Sequence, residues 1–318
     1  MTSRRLFLQS LAAASCASLF AKDGKPLAGV FPIVQTPFTN DDKLDTKTLG
    51  DEIRFLHRTG VQGVVWPQLA SEYFDLTKEE RFAGMEVVAG VGNSLKPAVV
   101  LGVQANDIAG ALEYTKHAEK LAPDALIALP PRDWKDKSKI SDYYKAISDN
   151  SARPLFVQAI GDMSVDFLYK MAERAPNLKY VKDEAGESLP RLSEFRRHGG
   201  DGIKGVFTGN HGKTFYDELA RGSAGTMPAA PFGDLYAAVW DAWKAGNRKK
   251  SFDAFTKVSA MVSQAVAYGL PGMKYMLELR GVFPNHNCRS AGKKTNFDEE
   301  AKQTIKETMS FLKPFFKA

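Results

Sequence analysis

Between Leu27 and about Gly225 the chain alternates eight times between a short, apolar, β-rich run and a longer segment with helical punctuation. No other feature limits the fold as strongly, because strands that alternate with helices build parallel sheets. The runs cover residues 29–34, 63–66, 98–103, 125–129, 155–158, 180–182, 205–208 and 225–227. Ala-Val-Val-Leu-Gly-Val at 98–103 has no polar face, as expected of a strand covered on both sides. Between the runs, Asp45-Thr46 opens a helix that carries Leu49, Ile53, Phe55 and Leu56 and stops at Gly60. Thr77 with Glu80 forms a capping box, and Ser164 opens a further helix carrying Phe167, Leu168 and Met171. The expected fold is an α/β (β/α)8 (TIM) barrel over 22–246, followed by a helical extension over 247–318. The extension holds helical segments near 251–268, 272–280 and 298–316, and with no strand to continue the sheet it should pack outside the barrel. A doubly wound sheet alternates in the same way, but no Gly-rich phosphate turn follows the first run, which ends in Pro32 and continues to Thr36-Pro37-Phe38.

The 318-residue chain is 44% hydrophobic and 25% charged, which excludes a disordered or multi-span membrane protein. Residues 1–21 read as an export signal of twin-arginine type: Ser3-Arg4-Arg5-Leu6-Phe7-Leu8 precedes a Leu- and Ala-rich run to Phe20. That run is too short and too interrupted by serine for a stable membrane span. The expected address is periplasmic or otherwise extracytoplasmic, and Ala13-Ala14-Ser15-Cys16 faintly resembles a lipoprotein box that would anchor lipid at Cys16. The net charge of +6 includes Arg4 and Arg5; without them the excess is small and dispersed, so a nucleic-acid partner is not expected. Cys16 and Cys288 allow no disulfide framework. The five histidines, at 57, 117, 198, 211 and 286, lack paired ligand spacing, so neither a metal nor another cofactor is expected.

Lys182 is the first candidate for chemistry. It ends an apolar run, Leu178-Lys179-Tyr180-Val181-Lys182, just before Asp183-Glu184-Ala185-Gly186. Strand alternation puts it on the face of Tyr180 and opposite Val181, so if Val181 packs against the helices then Lys182 points into the barrel mouth. Barrel active sites lie at the carboxyl ends of the strands, and desolvation there favours the neutral amine that attacks a carbonyl. The competing reading is a structural ion pair with Asp183 or Glu184.

Gly29-Val30-Phe31-Pro32 with Thr36-Pro37-Phe38, Glu72 ahead of Leu76-Thr77-Lys78-Glu79-Glu80-Arg81, Pro130-Pro131, and Tyr180-Val181-Lys182-Asp183 with Gly186 resemble the dihydrodipicolinate synthase and N-acetylneuraminate lyase family, in order and spacing, from Leu27 to the C-terminus. The resemblance implies that Lys182 forms an imine with pyruvate or a related 2-oxo acid, in an aldolase, lyase or dehydratase that works without a metal. It also implies a homo-oligomer, a dimer or tetramer of barrels.

The departures from the family pattern are equally specific. Where the family has Gly-Thr-Thr-Gly-Glu after the second strand, this chain reads Gln68-Leu69-Ala70-Ser71-Glu72, so two hydroxyl donors to a substrate carboxylate are missing. Where the family has a proton-shuttling tyrosine at the end of the fifth strand, this chain has Gln158, which cannot titrate near neutrality. Arg132-Asp133 follows the two prolines in place of an aromatic pair. The candidate catalytic residues are Lys182, Gln158 and His211, the last as a proton carrier in Thr208-Gly209-Asn210-His211 or only as a cap on the next helix. The candidate substrate contacts are Ala70, Ser71, Glu72, Arg132, Asp133 and Thr226, with Arg132 as a carboxylate clamp or, with Asp133, a solvated loop pair. Loss of the hydroxyls and tyrosine argues against lysine biosynthesis; the expected substrate is a sugar-derived keto acid. A different class of function stays open: a non-catalytic periplasmic protein that binds or senses a small carbonyl or carboxylate compound on the same barrel.

Overall fold

The computed structural model describes residues 24–290 and 296–318; the leader at 1–21, with Arg4, Arg5 and Cys16, lies outside them. Its strands are β1 (Gly29–Val30), β2 (Gly63–Trp66), β3 (Ala98–Gly102), β4 (Ala125–Ala128), β5 (Leu155–Ala159), β6 (Leu178–Asp183), β7 (Gly205–Thr208) and β8 (Gly225–Thr226). All ladders are parallel, and the order β1-β8-β7-β6-β5-β4-β3-β2 closes into a barrel through Ile33, which bridges Val65 on one side and Ala229 on the other. The run expected to be one strand over 29–34 is interrupted at Pro32, which has no N–H to give to a ladder. Its two halves still carry the seam: Phe31 N–H donates to Thr226 O at 2.9 Å and Val34 N–H to Val65 O at 2.9 Å.

The connecting helices are α1 (Thr46–Thr59), α2 (Lys78–Gly92), α3 (Ile108–Leu121), α4 (Lys137–Asp149), α5 (Val165–Arg174), α6 (Ser188–His198), α7 (Phe215–Ala220) and α8 (Gly233–Lys244). Their starts follow the side chains that satisfy orphan amides. Asp45 accepts from Thr48 N–H, Thr77 and Glu80 close a reciprocal box, and Ser164 accepts from Phe167 N–H. Gly60 ends α1 at φ 87°, a left-handed conformation that glycine adopts without penalty.

Strand alternation divides the core into two shells. Val64, Val99, Leu101, Val157 and Val181 pack outward against the helices, while Phe31, Ile33, Val65, Val100, Ile127, Phe156, Phe207 and Met227 fill the barrel. The filling is aromatic: Phe207 meets Phe31 and Phe156 edge-on at 5.1 and 5.3 Å between centroids, and Phe156 stacks on Tyr180 at 4.7 Å. Gly63 makes room for it, since a Cβ there would lie 2.2 Å from the Phe31 ring.

The extension consists of α9 (Arg248–Leu279) and α10 (Glu299–Leu312). α9 breaks at Gly269, at φ 60°, two residues before Pro271, so the chain turns where the sequence separates the 251–268 and 272–280 segments. The second half of α9 brings Lys274, fully buried, to Glu72 and to Asn287 O at 2.7 Å. Beyond it the chain folds back over the β1 and β2 ends of the barrel. Arg289 grips Glu80 and Asp42, and the Arg289 and Ser290 amides donate to Glu72 Oε2 at 2.7 and 2.8 Å. No helix among the described residues is long and apolar enough to cross a membrane.

Candidate active site

Above the aromatic plug the inward positions turn polar. On β6 the alternation that buries Tyr180 inward carries on through Lys182 to Glu184, while Val181 joins the outer shell. Asp183 also points outward, where Arg191 on α6 holds it through two bonds of 2.8 and 3.0 Å from Nε. The Lys182 side chain is 5% exposed and its Nζ lies 3.2 Å from Glu184 Oε2. Of the two carboxylates that the sequence offers as partners, Glu184 is therefore the one that takes the lysine. The pair stands inside the barrel, at the carboxyl ends of the strands.

Glu184 is held from three directions. Gln158, directly across the β5–β6 ladder from Lys182, donates its amide to Glu184 Oε2, and the Asn210 N–H donates to Oε1 at 3.2 Å. Gly209 leaves space for the carboxylate, because a Cβ there would sit 1.9 Å from Glu184 Oε1. Burial pushes the Glu184 carboxyl up, but Lys182, the Asn210 amide and Gln158 together outweigh it and hold the group below the usual carboxylate range. It is therefore ionised at neutral pH. Gln158 Oε1 is buried with no hydrogen-bond partner, so the site presents an unused acceptor beside the lysine.

His211 follows on the β7–α7 connection. Asn210 and His211 both have positive φ, 50° and 55°, a costly conformation for residues with a Cβ, and the Asn210 N–H at the start of this turn meets Glu184. The His211 carbonyl accepts from the Tyr236 hydroxyl, and Thr214, not His211, occupies the cap position of α7. Burial lowers the imidazole pKa, with Glu184 raising it and Lys182 lowering it further, so the ring is neutral near pH 7 and senses both members of the pair.

The three residues read as catalytic thus converge, whereas the substrate contacts scatter. Ala70 packs on the interior cluster and borders the mouth. The Ser71 hydroxyl is fully buried and already used, donating to Val34 O and accepting from Gln68 N–H at 3.0 Å. Glu72 is committed to Lys274 and to the amides of 289 and 290. Thr226 alternates with the inward Met227, and its hydroxyl donates to Thr208 O at 3.3 Å, away from Lys182. Arg132 and Asp133 are exposed; the Arg132 guanidinium lies 3.9 Å over the Phe74 ring and makes no ion pair with Asp133. Arg132 borders a groove of about 360 Å³ between the β4–α4 and β5–α5 connections, shared with Trp134, Met163 and Phe167.

The sequence reading gave Glu184 no role beyond a possible counter-ion. The period of two that places Lys182 also places residue 184, and it places Gln35 and Gln104 at the same level, both buried. Both polar atoms of the Gln35 carboxamide lack partners, whereas Gln104 bridges Gln68 and Pro67 O. No group of three or more His, Cys, Asp or Glu among the described residues could hold a metal ion.

Fold and site together define a parallel (β/α)8 barrel with a sheltered lysine, a carboxylate and a carboxamide gathered at the carboxyl ends of its strands. The chain belongs to the dihydrodipicolinate synthetase family, whose profile it matches over residues 26–311. Among curated relatives it is 27% identical over 241 residues to L-2-keto-3-deoxyarabonate dehydratase of Azospirillum brasilense, 73% of this chain and 76% of that one. It is 25% identical over 269 residues to N-acetylneuraminate lyase of Rhizobium meliloti, 80% of this chain and 86% of that one. A crystal structure of dihydrodipicolinate synthase from Rhodopseudomonas palustris shares the fold with a TM-score of 0.80 at 20% identity, over 89% of this chain and 97% of that one. The Escherichia coli K12 prophage protein YagE, solved in complex with pyruvate, has a TM-score of 0.80 at 19% identity, over 90% of this chain and 99% of that one. The curated relatives support a lyase function for this chain.

Proposed function

We propose that this protein is a lyase of aldolase or dehydratase type that condenses Lys182 with the carbonyl of pyruvate or a sugar-derived 2-oxo acid. The observation that carries the reading is the placement of Lys182 Nζ: inside the barrel, 5% exposed, with a carboxylate at 3.2 Å to take its proton. A protonated imine draws electrons from the bond beta to nitrogen, so a carbon–carbon or carbon–oxygen bond there breaks without a metal. The neutral His211 imidazole and the free Gln158 Oε1 are suited to moving a proton and to fixing a substrate hydroxyl. The dehydratase relative makes five-carbon 2-keto-3-deoxy acids the first compounds to offer. Their consumption by the parent chain, and its loss by about 10³-fold or more in Lys182→Ala, is the expected result. Consumption that survives Lys182→Ala contradicts the proposal.

A second reading, a binder that does not turn over, is favoured by one observation: Gln158 cannot act as acid or base. Binding of a 2-oxo acid by calorimetry, with no product over hours and no covalent adduct, would select it. Members of the family are typically oligomeric. We propose an extracytoplasmic address, carried by Arg4 and Arg5.

A further inference from the structure

We propose that Glu184 is the acid and base of imine formation in this chain; the inference rests on the Schiff-base reading of Lys182. Three features separate it from a bystander counter-ion. Its Oε2 touches the reacting nitrogen at 3.2 Å. It is fixed independently of the lysine, by Gln158 and by the N–H of Asn210, a residue itself held at positive φ. The glycine at 209 vacates the volume that the carboxylate fills. The Glu184 side chain is also 20% exposed against 5% for Lys182, so the carboxylate reaches outward from the nitrogen toward the side from which a substrate must arrive.

The proton inventory closes on this one group. The Lys182 ammonium gives a proton to the Glu184 carboxylate, and the neutral amine adds to the substrate carbonyl, forming the carbon–nitrogen bond. Glu184 relays the proton from the new ammonium to the oxygen, leaving a neutral carbinolamine. The Glu184 carboxyl then protonates the carbinolamine hydroxyl, which departs as water as the carbon–oxygen bond breaks. The protonated imine and the original carboxylate remain, and no other reactant is consumed. Gln158, whose amide cannot titrate, acts as a positioning residue that aims Oε2 at the nitrogen.

The test is single-turnover trapping of the chain with pyruvate and borohydride, the adduct counted by intact mass against time, in the parent and in Glu184→Gln. General acid–base catalysis predicts that the variant forms the adduct about 10²-fold or more slowly, and that added formate accelerates the variant at constant pH but not the parent. A mere counter-ion takes no part in proton transfer, so its removal predicts no such slowing. Adduct formation in Glu184→Gln as fast as in the parent, or faster, overturns the inference while leaving the imine intact. A slow variant indifferent to formate also overturns it, as a structural effect. If the parent itself forms no adduct with pyruvate or with the five-carbon keto acids, the Schiff-base reading falls and this inference with it.

Discussion

Burial pushes the Glu52 carboxyl well above the usual carboxylate range, and the Gln35 backbone N–H at 3.0 Å and Lys274 oppose it less strongly. A carboxyl whose pKa rises on folding stabilises the fold fully below its ordinary value of 4.5 and loses that contribution as pH rises through the folded value. Burial raises Asp183 and Glu218 in the same sense, so the decline should be shared. Glu52→Gln, which copies the neutral acid, should shrink the loss of stability between acidic and neutral pH in urea unfolding; an unchanged slope would contradict the assignment. Glu184 has the opposite sign: its depressed carboxyl contributes above 4.5 and is lost as pH falls through the folded value. Gly209→Ala puts a Cβ against the Glu184 side chain from Cγ outward, so that side chain must move, and imine formation should slow as the carboxylate is displaced. An unaltered trapping rate would show that the position of Oε1 and Oε2 is immaterial. Lys182 was legible from alternation and motif together, and the same alternation would have separated Glu184 from Asp183, which the sequence reading left as equal partners. Ser71, Glu72 and Thr226 were not legible, because a local motif says which residues are near a strand end but not which hydrogen bonds they have already made.

At the scale of elements, the sequence carried the eight strand–helix units and most helix starts, since apolar runs and capping side chains are local properties. What joins the extension to the barrel is not local. Lys274 reaches Glu72 across the fold, and Arg289 ties α2 to the segment after α9 by bonding Glu80, the residue that also caps Thr77 N–H at 2.9 Å. No periodicity reports such pairs. Lys274→Met should cost about 3–5 kcal/mol, because Glu72 is then left as an uncompensated buried charge. Adding Glu72→Gln should recover much of that loss, as Gln Oε1 can still accept from the 289 and 290 amides. Denaturant unfolding of the two variants decides this, and a double variant no more stable than the single one would contradict the account.

For the whole molecule, the barrel gathers residues from β5, β6 and the β7–α7 connection into one constellation, and the extension braces the same mouth where the chain leaves β1 and β2. If Arg4 and Arg5 direct export, replacing both with lysine should retain the protein in the cytoplasm, read by fractionation; undiminished export would remove the twin-arginine proposal. The central claim, however, concerns one covalent bond. Pyruvate and borohydride, followed by peptide mapping of the reduced chain, should place a single lactyl-sized mass increment on the peptide containing Lys182 and leave Lys182→Ala unlabelled. Label on another lysine such as Lys274, or no label on the parent with any 2-oxo acid, would contradict it.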